Sequence, residues 1–290
     1  MGKFRLGVLC GTLAAVSYGL NPLFAVPMYR AGFTTASVLF YRYLFAALLM
    51  SGLMLLRRKK FAVPLKQVFP VAVGGWLVSL SSLFLFISFR LMDVGIASTI
   101  LFTYPVMVAV IMVAVFHEKA NVSVGAALAL ATIGVSLLSR SGGVPVSWSG
   151  LGCVLLSSLS YALYIVAVRE SSLRQIDPET LIFYVLWFGL PIYLVPLHGL
   201  SLLQPLQTPL SWGCALGLGV FPSVVSFSMI TISIRLIGPT RAAILGALEP
   251  VTAVGIGALV FGERFTLRLA IGIVIILTAV ALVVRNNSKN

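Results

Sequence analysis

The chain has 290 residues, 60% of them hydrophobic and only 9% charged. A soluble domain carries roughly 25% charged residues, so this composition excludes one, and the ~10-residue alternating segments of an outer-membrane barrel are absent. The net charge of +13 argues for cytoplasmic loops of a membrane protein, where Lys and Arg collect, and against nucleic acid, because no basic stretch interleaves aromatics for base stacking.

Ten apolar stretches can each cross a ~30 Å hydrocarbon core as a helix. They fall near 6–29, 34–56, 68–89, 94–116, 122–139, 148–168, 179–197, 210–234, 240–261 and 267–284. Met1 to Arg5 resembles a signal n-region, but the apolar run behind it is long and lacks a small-x-small cleavage site, so the first span is expected to stay uncleaved. That span carries Gly7-x-x-x-Gly11, which permits close helix approach. It also carries Tyr18 and Asn21, which share a face in a continuous helix. The second span contains Arg42, about eight residues or ~12 Å from its outer end. It is followed by Arg57-Arg58-Lys59-Lys60, a topology anchor facing anionic headgroups.

The fourth span holds Tyr104 and Pro105, and its end is marked by Glu118-Lys119. Glycines and a proline between 139 and 146 punctuate the chain as a joint. The sixth span places Tyr161 and Tyr164 at i, i+3 on one face. The eighth holds Gly213-x-x-x-Gly217, and the ninth holds Glu249 and Pro250 before Glu263-Arg264. Tyr41, Tyr43, Trp148 and Tyr193 lie towards span ends and read as interfacial belt residues. The three cysteines show no CxxC spacing, so neither a disulfide framework nor a metal site is expected.

Residues 89–119 lie over 234–264 without a gap, 145 positions apart, with nine identities in 31 positions. Arg90/Arg235, Pro105/Pro250 and Glu118/Glu263 carry the match. A weaker echo joins 16–20 to 159–163 at an offset of 143. The chain therefore divides into repeats at 1–140 and 148–290. With the N-terminus inside, alternate loops hold 14 Lys and Arg on the cytoplasmic side and 5 outside, which places both termini in the cytoplasm. Five spans per repeat make the second copy enter the membrane upside down. The expected fold is an all-α polytopic membrane protein: ten transmembrane helices as two inverted five-helix repeats around a central cavity.

Leu245-Gly246-Ala247-Leu248-Glu249-Pro250-Val251, continued by Gly255-x-Gly257 and Phe261-Gly262-Glu263, resembles the ninth- and tenth-helix region of the EamA family of the drug/metabolite transporter superfamily. Phe40-Tyr41-Arg42-Tyr43-Leu44-Phe45-Ala46-Ala47 is similar to its second-helix pattern of an Arg followed by small residues. The resemblance covers essentially the whole chain. It implies the inverted ten-helix architecture, a bacterial inner membrane and movement of small metabolites, with amino acids and amphipathic drugs among the solutes. The first copy departs from the motif where Tyr104 replaces Glu249.

Glu249 sits ~13 Å into its span, near the midplane. An intramembrane ionisable group is by default a functional hypothesis, and a carboxyl there suits proton coupling or substrate contact. The structural alternative is a partner for backbone groups freed beside Pro250. Arg42 either snorkels outward, contacts an anionic solute group, or pairs with Glu249. Pro105 and Pro250 are helix-kink candidates, and matched interruptions in two halves point to a midplane site. Tyr18, Asn21, Tyr104 and Tyr161 are candidates for an amphipathic cavity wall.

No HExxH, GxSxG or Walker-type loop occurs. The expectation is a non-enzymatic, cofactor-free secondary transporter exporting small solutes by alternating access, with one repeat rocking against the other. Its partners are a small-molecule substrate and the bilayer, with no nucleic acid, and a monomer is sufficient. A passive channel and a nucleotide-sugar or phosphorylated-solute exchanger are the alternatives. The last wants several intramembrane cations, and only Arg42 is clearly inside.

Overall fold

A computed structural model describes all residues except 1, 60, 92–96, 98–99, 119–121, 139–146, 262–265 and 286–290. The joint between the repeats, Lys119 and Glu263-Arg264 therefore lie outside the described residues. The described elements are helices and helical turns, with no strand among them. Lipid offers backbone groups no partners, so helices that bond internally are the economical way to cross it.

The first expected span forms α1 (Lys3–Gly19) and α2 (Asn21–Arg30), and the second forms α3 (Thr35–Leu56). The third is α4 (Leu65–Leu91), the fourth ends as α5 (Tyr104–Ala114), and the fifth is α6 (Val122–Leu138). The sixth is α7 (Trp148–Glu170), and the seventh is α8 (Pro178–Gly189) with α9 (Pro191–Leu194). The eighth runs through α10 (Pro209–Gly219), a π turn at Val220–Val225, and α11 (Ser226–Ile237). The ninth is α12 (Pro239–Leu245) and α13 (Leu248–Val260), and the tenth is α14 (Leu267–Arg285). Among the described residues six helices are long and apolar enough to span a membrane, and four shorter apolar ones accompany them.

Several spans are interrupted, and proline lies at each break. Proline lacks an N–H and is tolerated in the first turn of a helix, where that donor has no partner anyway. The first span breaks at Leu20, before Pro22. The fourth turns at Phe102-Thr103 before Pro105, and the ninth at Gly246-Ala247 before Pro250. Both of these prolines therefore open a resumed helix; neither kinks the interior of a continuous one.

Packing is reciprocal between the halves. The first span packs on α11 of the eighth, and the sixth packs on the third; the first meets the ninth, and the sixth meets the fourth. The second meets the eighth, and the seventh meets the third, while spans two and seven, four and nine, and five and ten meet each other. Gly7 and Gly11 face Leu236, Ile237, Ser233 and Leu245, leaving no room for a methyl. Gly217 lies equally close to the ring of Phe24, whereas Gly213 faces open space, so only half of that motif packs.

Candidate functional site

Tyr18, Tyr104, Tyr161 and Glu249, from spans one, four, six and nine, converge. The Tyr104 and Tyr161 rings meet edge to face at 4.9 Å. The Glu249 carboxyl acts electrostatically on the hydroxyls of Tyr18, Tyr104 and Tyr161. Glu249 occupies the first turn of α13, where the positive end of the helix dipole favours an acidic group. The residue is half-buried, and its carboxyl has no hydrogen-bond or ion-pair partner among the described residues. The backbone N–H of Glu249 donates to the Gly246 carbonyl at 2.9 Å, so the break beside it is satisfied by backbone and not by this side chain.

Tyr104 is buried, and its hydroxyl donates to the Ala243 carbonyl at 3.3 Å. A side chain at Gly246 would collide with that hydroxyl. Tyr104 thus fills the helix break that lies next to its own counterpart, Glu249. Gly19 abuts the Glu249 carbonyl and Thr252, bringing span one onto the same turn. The break at Leu20 separates Tyr18 from Asn21, so the two do not share one regular helix face as expected. Asn21 Oδ1 and Thr103 Oγ1, beside the breaks of spans one and four, are buried and have no hydrogen-bond partner among the described residues.

Arg42 is fully buried. Its Nε donates to Ser223 Oγ at 2.8 Å and its Nη2 to the Pro222 carbonyl at 3.1 Å. Ser223 Oγ in turn donates to the Leu218 carbonyl at 3.0 Å. These acceptors belong to the π turn of span eight, whose wider winding and proline release carbonyls from the helical ladder. The guanidinium also lies 5.3 Å from the Tyr18 ring centroid and within 6 Å of those of Tyr43 and Phe227, in cation–π range. Its Nη1 has no hydrogen-bond partner among the described residues. The direct Arg42–Glu249 pair does not form: the π turn holds the guanidinium, and the Tyr18 ring lies against it. Snorkelling is likewise ruled out by full burial.

Other expectations change in the structure. Tyr43 and Tyr193 are buried, with rings 4.8 Å apart, and the Tyr193 hydroxyl donates to the Ser79 carbonyl at 3.2 Å. They are core residues; position along the sequence does not reveal which helix face looks inward. Tyr164 is buried and lies beside Gly74. Trp148 is 85% exposed, as a belt residue is. Glu118 accepts a hydrogen bond from Thr240 Oγ1 at 3.3 Å.

The sequence also carried a signal that motif reading passed over. Phe40-Tyr41 and Phe45 recur as Phe183-Tyr184 and Phe188 at the offset of 143 already seen in span one. Tyr41 stacks on Phe45 and Tyr184 on Phe188 at the same interplanar angle of 21°. In this register Arg42 aligns with Val185. Arg42 and Glu249, one from each copy, thus each have a residue of another type, Val185 or Tyr104, at the equivalent position of the other copy.

Two segments of the chain, residues 5–140 and 148–285, each match the EamA-like transporter family. The chain belongs to that family. As an EamA-like protein it is similar to an uncharacterized transporter of Archaeoglobus fulgidus, at 29% identity over 95% of either chain. An uncharacterized transporter of Synechocystis is 28% identical over 72% of this chain and 64% of its own length. A protein of known crystal structure shares the fold, with a TM-score of 0.82 over 98% of this chain and 99% of its own, at 16% identity. This EamA-like chain is a multi-pass membrane protein of a transporter family, and its relatives bear transporter names.

Proposed function

We propose that the chain is a secondary transporter that exports small amphipathic solutes, amino acids among them, by alternating access. Its ten spans form two inverted repeats, 1–140 and 148–290, with both termini on the cytoplasmic side of a bacterial inner membrane. Reciprocal packing of each span pair with its repeat equivalent supports the inverted arrangement. The observation that carries the reading is the cluster of Tyr18, Tyr104, Tyr161 and Glu249. Four spans, two from each copy, bring it together, three of them beside helix breaks, as in transporters whose solute binds between repeats.

In this reading the tyrosines bind the apolar body of the solute by ring contact and hydroxyl bonding. Glu249 binds an ammonium group or carries the coupling proton, and Arg42 attracts a solute carboxylate while bracing the π turn. L-Phenylalanine combines these features and serves as the probe. Purified protein in proteoliposomes should show saturable counterflow of labelled phenylalanine and accumulate it when a pH gradient is imposed. Glu249→Gln should abolish the gradient-driven part by more than tenfold. A variant that keeps it removes Glu249 from coupling, and flux without saturation or counterflow makes the protein a channel.

A further inference from the structure

The seventh span begins with Asp177 as its helix cap, accepting from the Glu179 N–H at 3.1 Å. The second begins with Thr34, 143 positions earlier, whose side chain accepts from the Ser37 N–H at 3.3 Å. Each cap is gripped by a loop of the other repeat. At one end Lys59 Nζ lies 3.1 Å from Asp177 Oδ2 and 3.9 Å from Glu179 Oε2, and Arg57 pairs with Glu179. At the other, Gln204 accepts from the Thr34 N–H and donates from its side chain to the Gly32 carbonyl at 2.8 Å.

One bond recurs at both ends. Tyr41 OH donates to the Gln204 carbonyl at 2.8 Å, and Tyr184 OH donates to the Phe61 carbonyl at 2.7 Å. Tyrosines and acceptors are both 143 positions apart. The two bonds are therefore one interaction made twice by the repeat symmetry. They lie at opposite ends of α3, whose 22 residues span about 33 Å, and hence towards opposite membrane faces. Between them the pair is further joined by the Tyr43–Tyr193 ring contact and by Trp187 Nε1 donating to Ser51 Oγ at 3.2 Å.

Both clasps are closed at once, yet Glu249, Tyr18 and Tyr161 are only partly buried. Resting on the transport reading above, we propose that spans two and seven form a permanent frame, held at both faces by the repeat-equivalent Tyr41–Gln204 and Tyr184–Phe61 clasps, and that other spans open and close the cavity. Rocking of one whole repeat against the other would have to break one clasp in each state. The frame breaks neither. The ion pairs make one clasp charged where its equivalent is neutral, so salt should loosen that end alone.

The test cross-links both clasps in the full chain, with Cys10, Cys153 and Cys214 replaced by alanine. One cysteine pair is Thr34→Cys with Gln204→Cys, the other Lys59→Cys with Asp177→Cys. Each is bridged with a short bis-methanethiosulfonate that dithiothreitol removes. Phenylalanine counterflow in proteoliposomes should stay within about twofold of the unbridged protein with either or both bridges in place. A loss beyond tenfold, restored by dithiothreitol, overturns the frame and makes the clasps gates. Absence of counterflow before bridging defeats the transport reading itself and the frame with it.

Hydrogen exchange in the unaltered protein gives an independent measure. The Thr34 and Gln204 amides, both bonded across or within the clasp, should exchange equally slowly with and without phenylalanine on both sides of the membrane. Acceleration of either beyond tenfold during turnover overturns the frame as well.

Discussion

The hydroxyl of Tyr104 donates to the backbone carbonyl of Ala243, 139 residues further along the chain. This bond puts a first-copy side chain into the helix break of the second copy, one turn before Glu249. The two positions that diverge between the copies, Tyr104 and Glu249, are thereby brought to one place. Four outcomes follow from this and the neighbouring contacts.

Gly246→Ala should destabilise the protein by about 1–3 kcal/mol, the usual cost of overpacking, because the new methyl meets the Tyr104 hydroxyl. Tyr104→Phe alone removes one hydrogen bond and should cost about 1 kcal/mol. The double variant should lose less than the sum, since phenylalanine vacates the space. Thermal unfolding in detergent measures all three, and strict additivity would contradict the contact.

Arg42→Lys should cost at least about 2 kcal/mol. A lysine cannot present the guanidinium fork that reaches Ser223 and the Pro222 carbonyl together. Ser223→Ala removes one acceptor from a buried charge and should cost about 1.5–3 kcal/mol. Adding Ser223→Ala to Arg42→Lys should then cost little more, because the two share one interaction. A double-mutant cycle on unfolding midpoints reads this coupling, and zero coupling rejects the brace.

Asp177→Ala should destabilise by about 1 kcal/mol through loss of the helix cap, a part that persists at high salt, and should also lose the screened contribution of the Lys59 pair. Lys59→Ala should cost less than about 1 kcal/mol, because Lys59 and Asp177 are 38% and 43% exposed. That smaller cost should vanish in 1 M salt, where the screening length falls to about 3 Å. Unfolding midpoints at two salt concentrations separate the two effects; a salt-sensitive Asp177→Ala loss as large as its total would reject the cap.

Orientation is checked with exposed positions at the two ends of span two. Arg58→Cys should react with a membrane-impermeant maleimide in inverted vesicles only, and Ala31→Cys in intact cells only. The reverse pattern would place the termini outside and invert the assignment made from Lys and Arg.

Composition was sufficient for the membrane class, because no soluble fold tolerates so little charge. The offset repeat and the Glu249-Pro250 motif led to the family, and the paired prolines marked helix breaks in spans four and nine. The same chain was less informative about faces. In lipid the outside of a helix is as apolar as its packed side, so the amphipathic pattern that orients a soluble helix is weak. Hence Tyr43 and Tyr193 read as belt residues although both are core.

Pairing with Glu249 is one of three fates that the sequence leaves open for Arg42. A buried cation needs acceptors, and from sequence the carboxylate was the obvious one. Only the tertiary structure shows that the π turn at Val220–Val225 satisfies two of its nitrogens, through the Ser223 hydroxyl and the Pro222 carbonyl. The Tyr41 and Tyr184 clasps were written in the sequence as a repeat at offset 143, but their acceptors are backbone carbonyls, identical in every residue. Residue types thus identify the solvent, the duplication and the family. Which groups meet across the two copies was decided by packing alone, because backbone acceptors and lipid-facing apolar surfaces leave no mark in residue type.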